Sequence, residues 1–140
     1  MGLTLSDEAR RHVAAFADLT GATATDCLLR DDGTVAFVVA RGEMAAAVGP
    51  DGAHVERLED ELGADVELIE DADTAADFVA NALAPAAVRH VTISENDDTV
   101  AYVEVAEADR GVAIGTDGRR IELARDLAAR HFGIDDVALT

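Results

Sequence analysis

Two glycine pairs, Gly49-Pro50-Asp51-Gly52 and Gly115-Thr116-Asp117-Gly118, repeat the spacing G-x-x-G 66 residues apart, from 49 to 115. The chemistry this spacing allows is anion capture by the main chain. Two glycines bracketing two residues let the backbone approach a polyanion closely, and a helix starting after the second glycine presents N–H groups to phosphate oxygens. One copy alone would more simply be a helix ending in a left-handed glycine cap. Here both copies share their flanks. An apolar, Ala-rich stretch precedes each, and an amphipathic helical pattern follows: Val55, Leu58 and Leu62 after the first, Ile121, Ala124, Leu127 and Ala128 after the second. The repeating unit is therefore helix, G-x-x-G, helix.

Arg119, Arg120 and Arg125 follow the second pair within two helical turns, where each can meet a phosphate or stack on a base. They also fit a salt-bridged, solvated helix face, because Glu122 lies three residues from both Arg119 and Arg125, and Asp126 and Arg130 form an i, i+4 pair. The residues themselves leave both roles open. From Glu107 to Ile134 five Arg balance five acids, a neutral stretch in a negative chain, so the second repeat is expected to be the main grip. Ala53 and His54 stand in the first repeat where Arg119 and Arg120 stand in the second. Asp51 and Asp117 place an acid inside each loop, repelling a phosphate by about 1 kcal/mol at 4 Å in bulk water. Salt or a bridging cation offsets that repulsion. Val48, Val55, Ile114 and Ile121 flank the glycines, and helical periodicity assigns them to the core, with an apolar floor for bases as the alternative.

Other site chemistries find little support. His12, His54, His90 and His131 are dispersed without ligand spacing, and Cys27 has no nearby partner, so neither a metal site nor a cofactor is expected. Asp31-Asp32 and Asp97-Asp98 fall in turn signals and read as solvated turn acids. Ser6 and Ser94 are the two serines, one read as a helix cap and the other as a strand end, which leaves no hydrolase constellation. No catalytic residue and no small-molecule substrate are expected.

A length of 140 residues suits two very small domains, which the repeat divides at 1–70 and 71–140. Hydrophobic residues make up 49%, but aromatics only 4% with no Trp, so the core is built from Val, Leu, Ile and Ala, and aromatic base-stacking platforms are disfavoured. Cys27 is single and cannot form an internal disulfide. Neither a signal-peptide pattern nor a run of ~18 apolar residues is present, and the expectation is a cytoplasmic protein without membrane contact. The formal net charge of −18 opposes the usual footprint of nucleic-acid binding. Yet all 11 basic residues are Arg, none is Lys, and the 29 acids are spread evenly. That pattern fits a salt-loaded cytoplasm, where a carboxylate-rich surface keeps the chain hydrated. In molar salt the Debye length is about 3 Å, so net charge is not felt at a distance and local contacts decide binding.

Each half predicts the same order of elements. In the first, Ser6 caps a helix to Thr20, strands run over 25–29 and 35–40 around an Asp-Gly turn, an Ala-rich helix from Gly42 leads into the loop, a helix covers about 53–62, and a strand covers 65–69. In the second, Thr74 caps a helix that ends before Pro85, strands cover 88–94 and 99–106, a helix from about Ala108 leads into the loop, a longer one runs over 119–132, and a strand covers 136–139. The halves meet without a Gly/Ser/Pro linker. That predicts two loops in fixed relation, able to share one strand of nucleic acid.

This α+β pattern, α-β-β-α-α-β twice with V-G-P-D-G and A-I-G-T-D-G loops, resembles two tandem type II (prokaryotic) KH domains, each a three-stranded sheet packed by helices. The stretch Asp109 to Arg125, the ending Arg130-His131-Phe132-Gly133-Ile134-Asp135-Asp136-Val137, and Asn81-Ala82-Leu83-Ala84-Pro85-Ala86 are similar to the archaeal NusA-like transcription factor family over essentially the whole chain. The resemblance implies binding of single-stranded RNA, roughly four nucleotides per loop, in transcription elongation or termination, with RNA polymerase as a protein partner. The implied RNA-binding residues are Gly49, Pro50, Asp51, Gly52, Gly115, Thr116, Asp117, Gly118, Arg119, Arg120 and Arg125. KH loops commonly carry a basic residue inside G-x-x-G, whereas both loops here contain Asp, at Asp51 and Asp117, and this departure keeps two alternatives open: a protein-interaction adaptor on a KH scaffold without RNA binding, and a generic KH protein acting on ribosomal or messenger RNA.

Overall fold

Local signals set most element ends, and the computed structural model of the chain, which describes residues 5–140, shows how. Helix α1 spans Asp7–Thr20; the Ser6 hydroxyl accepts from the Ala9 amide at 3.1 Å, Asp7 and Glu8 sit in the positive first turn, and Gly21 closes the helix at φ 74°. The buried Thr20 hydroxyl donates to the Phe16 carbonyl and accepts from the Ala22 amide, so the chain leaves the helix with its polar groups paired. Strands β1 (Ala24–Leu29) and β2 (Val35–Val39) form an antiparallel hairpin, where Asp32 accepts from the Thr34 amide and Gly33 takes φ 88°. Helices α2 (Met44–Val48) and α3 (Ala53–Leu62) flank the first glycine loop, and β3 (Val66–Glu70) returns parallel to β2. The sheet order is β1-β2-β3. Phe16 and Phe37 stack at 4.8 Å in a core with Ala9, Cys27, Val39, Ala47, Leu58 and Val66.

This first compact unit closes at Asp71, and a second begins at Ala72. Thr74 caps α4 (Ala75–Ala82) by accepting from the Asp77 amide at 3.2 Å. Strands β4 (Val88–Glu95) and β5 (Thr99–Val105) pair antiparallel; α5 (Arg110–Ile114) and α6 (Arg119–Phe132) flank the second glycine loop; β6 (Asp136–Leu139) runs parallel to β5. The sheet order β4-β5-β6 reproduces the first unit's. Phe78 meets the rings of Phe132 and His131 at 5.3 and 5.2 Å, and α6 buries Ile121, Leu123, Ala124, Leu127 and Ala128.

The short helices before the loops start later than their sequence suggests. Gly42 stands outside α2 at φ 79°, its amide taken by Glu70, and a 3-10 turn at Glu107–Asp109 precedes α5. Among the described residues no helix is long and apolar enough to cross a membrane.

Candidate functional site

Both glycine loops adopt one backbone. Gly49 and Gly115 lie at φ 76°, ψ 172° and φ 80°, ψ 171°, a region essentially reserved for glycine. Gly52 and Gly118 are left-handed at φ 76°. Between them Asp51 and Asp117 are left-handed as well, at φ 53° and 55°, where Asp is among the residues that tolerate the strain. The first glycine is needed twice over. A Cβ on Gly49 would lie 2.5 Å from the His54 ring, and one on Gly115 2.8 Å from the Arg120 backbone nitrogen.

The hydrogen-bond ledger shows which amides stay available. The last helical bonds run from the Gly49 amide to Ala45 and from the Gly115 amide to Gly111. Inside the loops Gly52 and Gly118 donate to Gly49 and Gly115, while Ala53 and Arg119 donate to Pro50 and Thr116. Among the described residues, the amides of Thr116 and Asp117, and of Asp51 in the first loop, find no acceptor. Pro50 has none to offer. No side chain caps the start of α3 or α6, so the positive helix end remains open next to each loop. Such an arrangement suits an anion held by main-chain donors.

The three arginines expected at the site have separate surroundings. Arg119 is exposed beside Gly118. Arg120 is half-buried and donates through Nη1 to the Val112 carbonyl at 2.7 Å, across the loop. Arg125 fastens α6 to β6, with Nε 3.1 Å from the Val137 carbonyl and 3.0 Å from Asp136. Arg125 therefore has a structural role within the unit beside the phosphate contact expected of it, and its side chain stays 41% exposed. The flanking apolar residues divide too. Ile121 is core, Val48 and Val55 are half-buried, and Ile114 is 40% exposed with Val112 beside it at 38%. A five-residue helix buries one narrow stripe, here Ala113, and its neighbours on either side turn outward.

The sequence reading missed His54 as part of the loop. Its ring Nδ1 donates to the Ala46 carbonyl at 2.7 Å, the counterpart of the Arg120 bond, and the signal was its offset of 66 from Arg120, equal to that of the glycines. Among the described residues no group of His, Cys, Asp and Glu could hold a metal ion.

A family model described as the NusA-like second KH domain matches residues 75–139. Over 139 residues, 99% of each chain, the sequence is 62% identical to a probable transcription termination protein NusA of Halococcus morrhuae. The chain belongs to the NusA-like transcription termination protein family. A family member of the same name from Halobacterium salinarum is 61% identical over 140 residues, all of both chains, and both relatives come from halophilic archaea, the setting to which the Lys-free acidic composition pointed. Both relatives carry the name of a probable transcription termination protein. The crystal structure of APE1850 aligns with a TM-score of 0.86 at 26% identity, covering 97% of this chain and 100% of that one. With one antiparallel and one parallel strand pair in each three-stranded sheet, the two units have the α+β architecture of tandem type II KH domains.

Proposed function

We propose that the chain binds single-stranded RNA through its two G-x-x-G loops, without catalysis, in transcription termination or elongation. One observation carries this reading: two loops 66 residues apart share a glycine-dependent backbone, and the second leaves the amides of Thr116 and Asp117 unpaired beside an uncapped helix start. Phosphates lie across Gly49 to Gly52 and Gly115 to Gly118, held by main-chain donors that need no net positive field. Arg119 adds a charge-assisted contact at the second loop. Arg120 contributes through its placement across the loop, and Arg125 is outside the contact set. The second loop has the stronger grip, because Pro50 removes the donor that Thr116 supplies. Termination is an event of a transcribing polymerase, so the nascent transcript is the RNA assigned here and RNA polymerase the neighbouring protein.

Fluorescence anisotropy with labelled single-stranded and duplex RNA, in dilute and in multimolar KCl, tests the reading. Wild type is expected to prefer the single strand and to bind in multimolar KCl with a shallow salt slope, since most affinity comes from hydrogen bonds and fit. Gly118→Asp is the informative variant. A Cβ there meets only the tip of Glu122 at 4.0 Å, and Asp accepts the left-handed backbone as Asp117 does. It is expected to keep the fold and weaken binding, most steeply in dilute salt. Absence of RNA affinity at either salt would replace this reading with a protein-interaction adaptor. Crosslinking and sequencing of bound RNA from cells separates nascent transcripts from ribosomal or mature messenger RNA.

A further inference from the structure

In a continuing α-helix the carbonyl of residue i accepts from the amide of i+4. At the ends of α2 and α5 that partner is lost, since the chain turns away at Gly49 and Gly115 alike. For Ala46 it would be Pro50, which also has no N–H; for Val112 it would be Thr116, carried off by the turn at Gly115 (φ 80°, ψ 171°). In both loops the second residue of the following helix supplies the missing donor. His54 Nδ1 reaches Ala46 and Arg120 Nη1 reaches Val112, each at 2.7 Å and each over eight residues of chain. A carbonyl accepts only, so the His54 proton is on Nδ1. Chemically unlike side chains thus close the same span on the same carbonyl. The close approach at Gly49 and Gly115 is to these same two residues, so glycine and latch form one device.

We propose that His54 and Arg120 are positioning residues. Each ties the last turn of a five-residue helix to the first turn of the next and holds the intervening loop in the conformation that leaves its amides free. A helix of one turn has little stability of its own, so the side-chain bond and the packing beneath it hold the loop's entry. The inference rests on the RNA-binding reading, and it separates Arg120 from Arg119: the first acts through loop geometry, the second through its charge.

Arg120→Ala and Arg120→His, compared with wild type in the full chain, test it through two readouts. Amide signals of Thr116 and Asp117 in 15N–1H spectra report loop geometry, and anisotropy titrations in multimolar KCl report RNA affinity. Arg120→Ala is expected to shift both amides and weaken RNA binding about tenfold, the scale of one lost charge-assisted hydrogen bond. Arg120→His, which installs the first loop's own solution, is expected to return both amides toward wild type and restore most of the affinity. Should the Ala variant fail to fold, Arg120→Met keeps the aliphatic packing and removes the donor. Unmoved amides in the Ala or Met variant overturn the proposal. So does a His variant that recovers the amides but not the binding, which would make Arg120 a direct phosphate contact. Failure of wild type to bind RNA overturns the functional reading itself, and the amide signals then still show whether the latch shapes the loop.

Discussion

Asp51 and Asp117 stand in the two loops because of backbone conformation. At φ 53° and 55° with ψ 29° and 27°, they occupy the left-handed region that Asn and Asp tolerate best after glycine. Their carboxylates are exposed beside the proposed phosphate path, where they would carry an electrostatic penalty that high ionic strength screens. Asp117→Asn keeps the conformation and removes the charge. Its RNA affinity in dilute salt is expected to rise by up to about fivefold, the equivalent of 1 kcal/mol at 4 Å in water, and the gain is expected to vanish in multimolar KCl. Anisotropy at both salts checks this, and a gain that persists in multimolar KCl would point to a direct steric or hydrogen-bonding role for Asp117. The glycines were legible in the sequence because two copies of one spacing carry their own control. The jobs of Arg120 and His54 were not, because a bond across eight residues depends on how the chain folds back, and no local pattern encodes that.

At the scale of elements, the caps were readable residue by residue. Ser6 and Thr74 satisfy first-turn amides, and Gly21, Gly63 and Gly133 end helices in left-handed geometry. Arg125 shows what such patterns miss. Its i−3 neighbour Glu122 suggested a pair along the helix, whereas the structure joins it to Asp136 and the Val137 carbonyl of β6. With both side chains about half exposed, the ion pair contributes little and the hydrogen bond carries more of the join. Arg125→Met is expected to cost about 1 kcal/mol, a fall of roughly 4–8 °C in Tm for a unit of this size. Thermal melts measure that, and RNA affinity is expected to stay unchanged. A loss of affinity with Tm preserved would return Arg125 to the contact set.

For the whole molecule, a net charge of −18 sets the working conditions. Self-repulsion among carboxylates opposes the compact state where screening is weak. Melting followed by circular dichroism is expected to give a lower Tm in about 0.1 M KCl, where the Debye length is near 10 Å, than in multimolar KCl; equal values would remove salt adaptation as the reason for the composition. Not every acid serves hydration. Glu43, Glu59, Glu70, Asp109 and Asp135 accept from the amides of Thr23, Val66, Gly42, Ala87 and Thr99, tying together segments 7 to 36 residues apart in the chain. Their even spread along the chain concealed this, since a carboxylate at a distant amide looks in sequence like one in water. The amino-acid sequence alone determined the duplicated α-β-β-α-α-β order, the helix caps, the loop glycines and the salt-adapted surface, because each depends on periodicity, on a few adjacent residues or on composition. Only the tertiary structure decided which side chains close the loops, that Arg125 joins α6 to β6, and that Ile114 lies at the surface while Ile121 is core. Those outcomes turn on contacts between residues brought together by folding, whose geometry exists only once sheets and helices are packed.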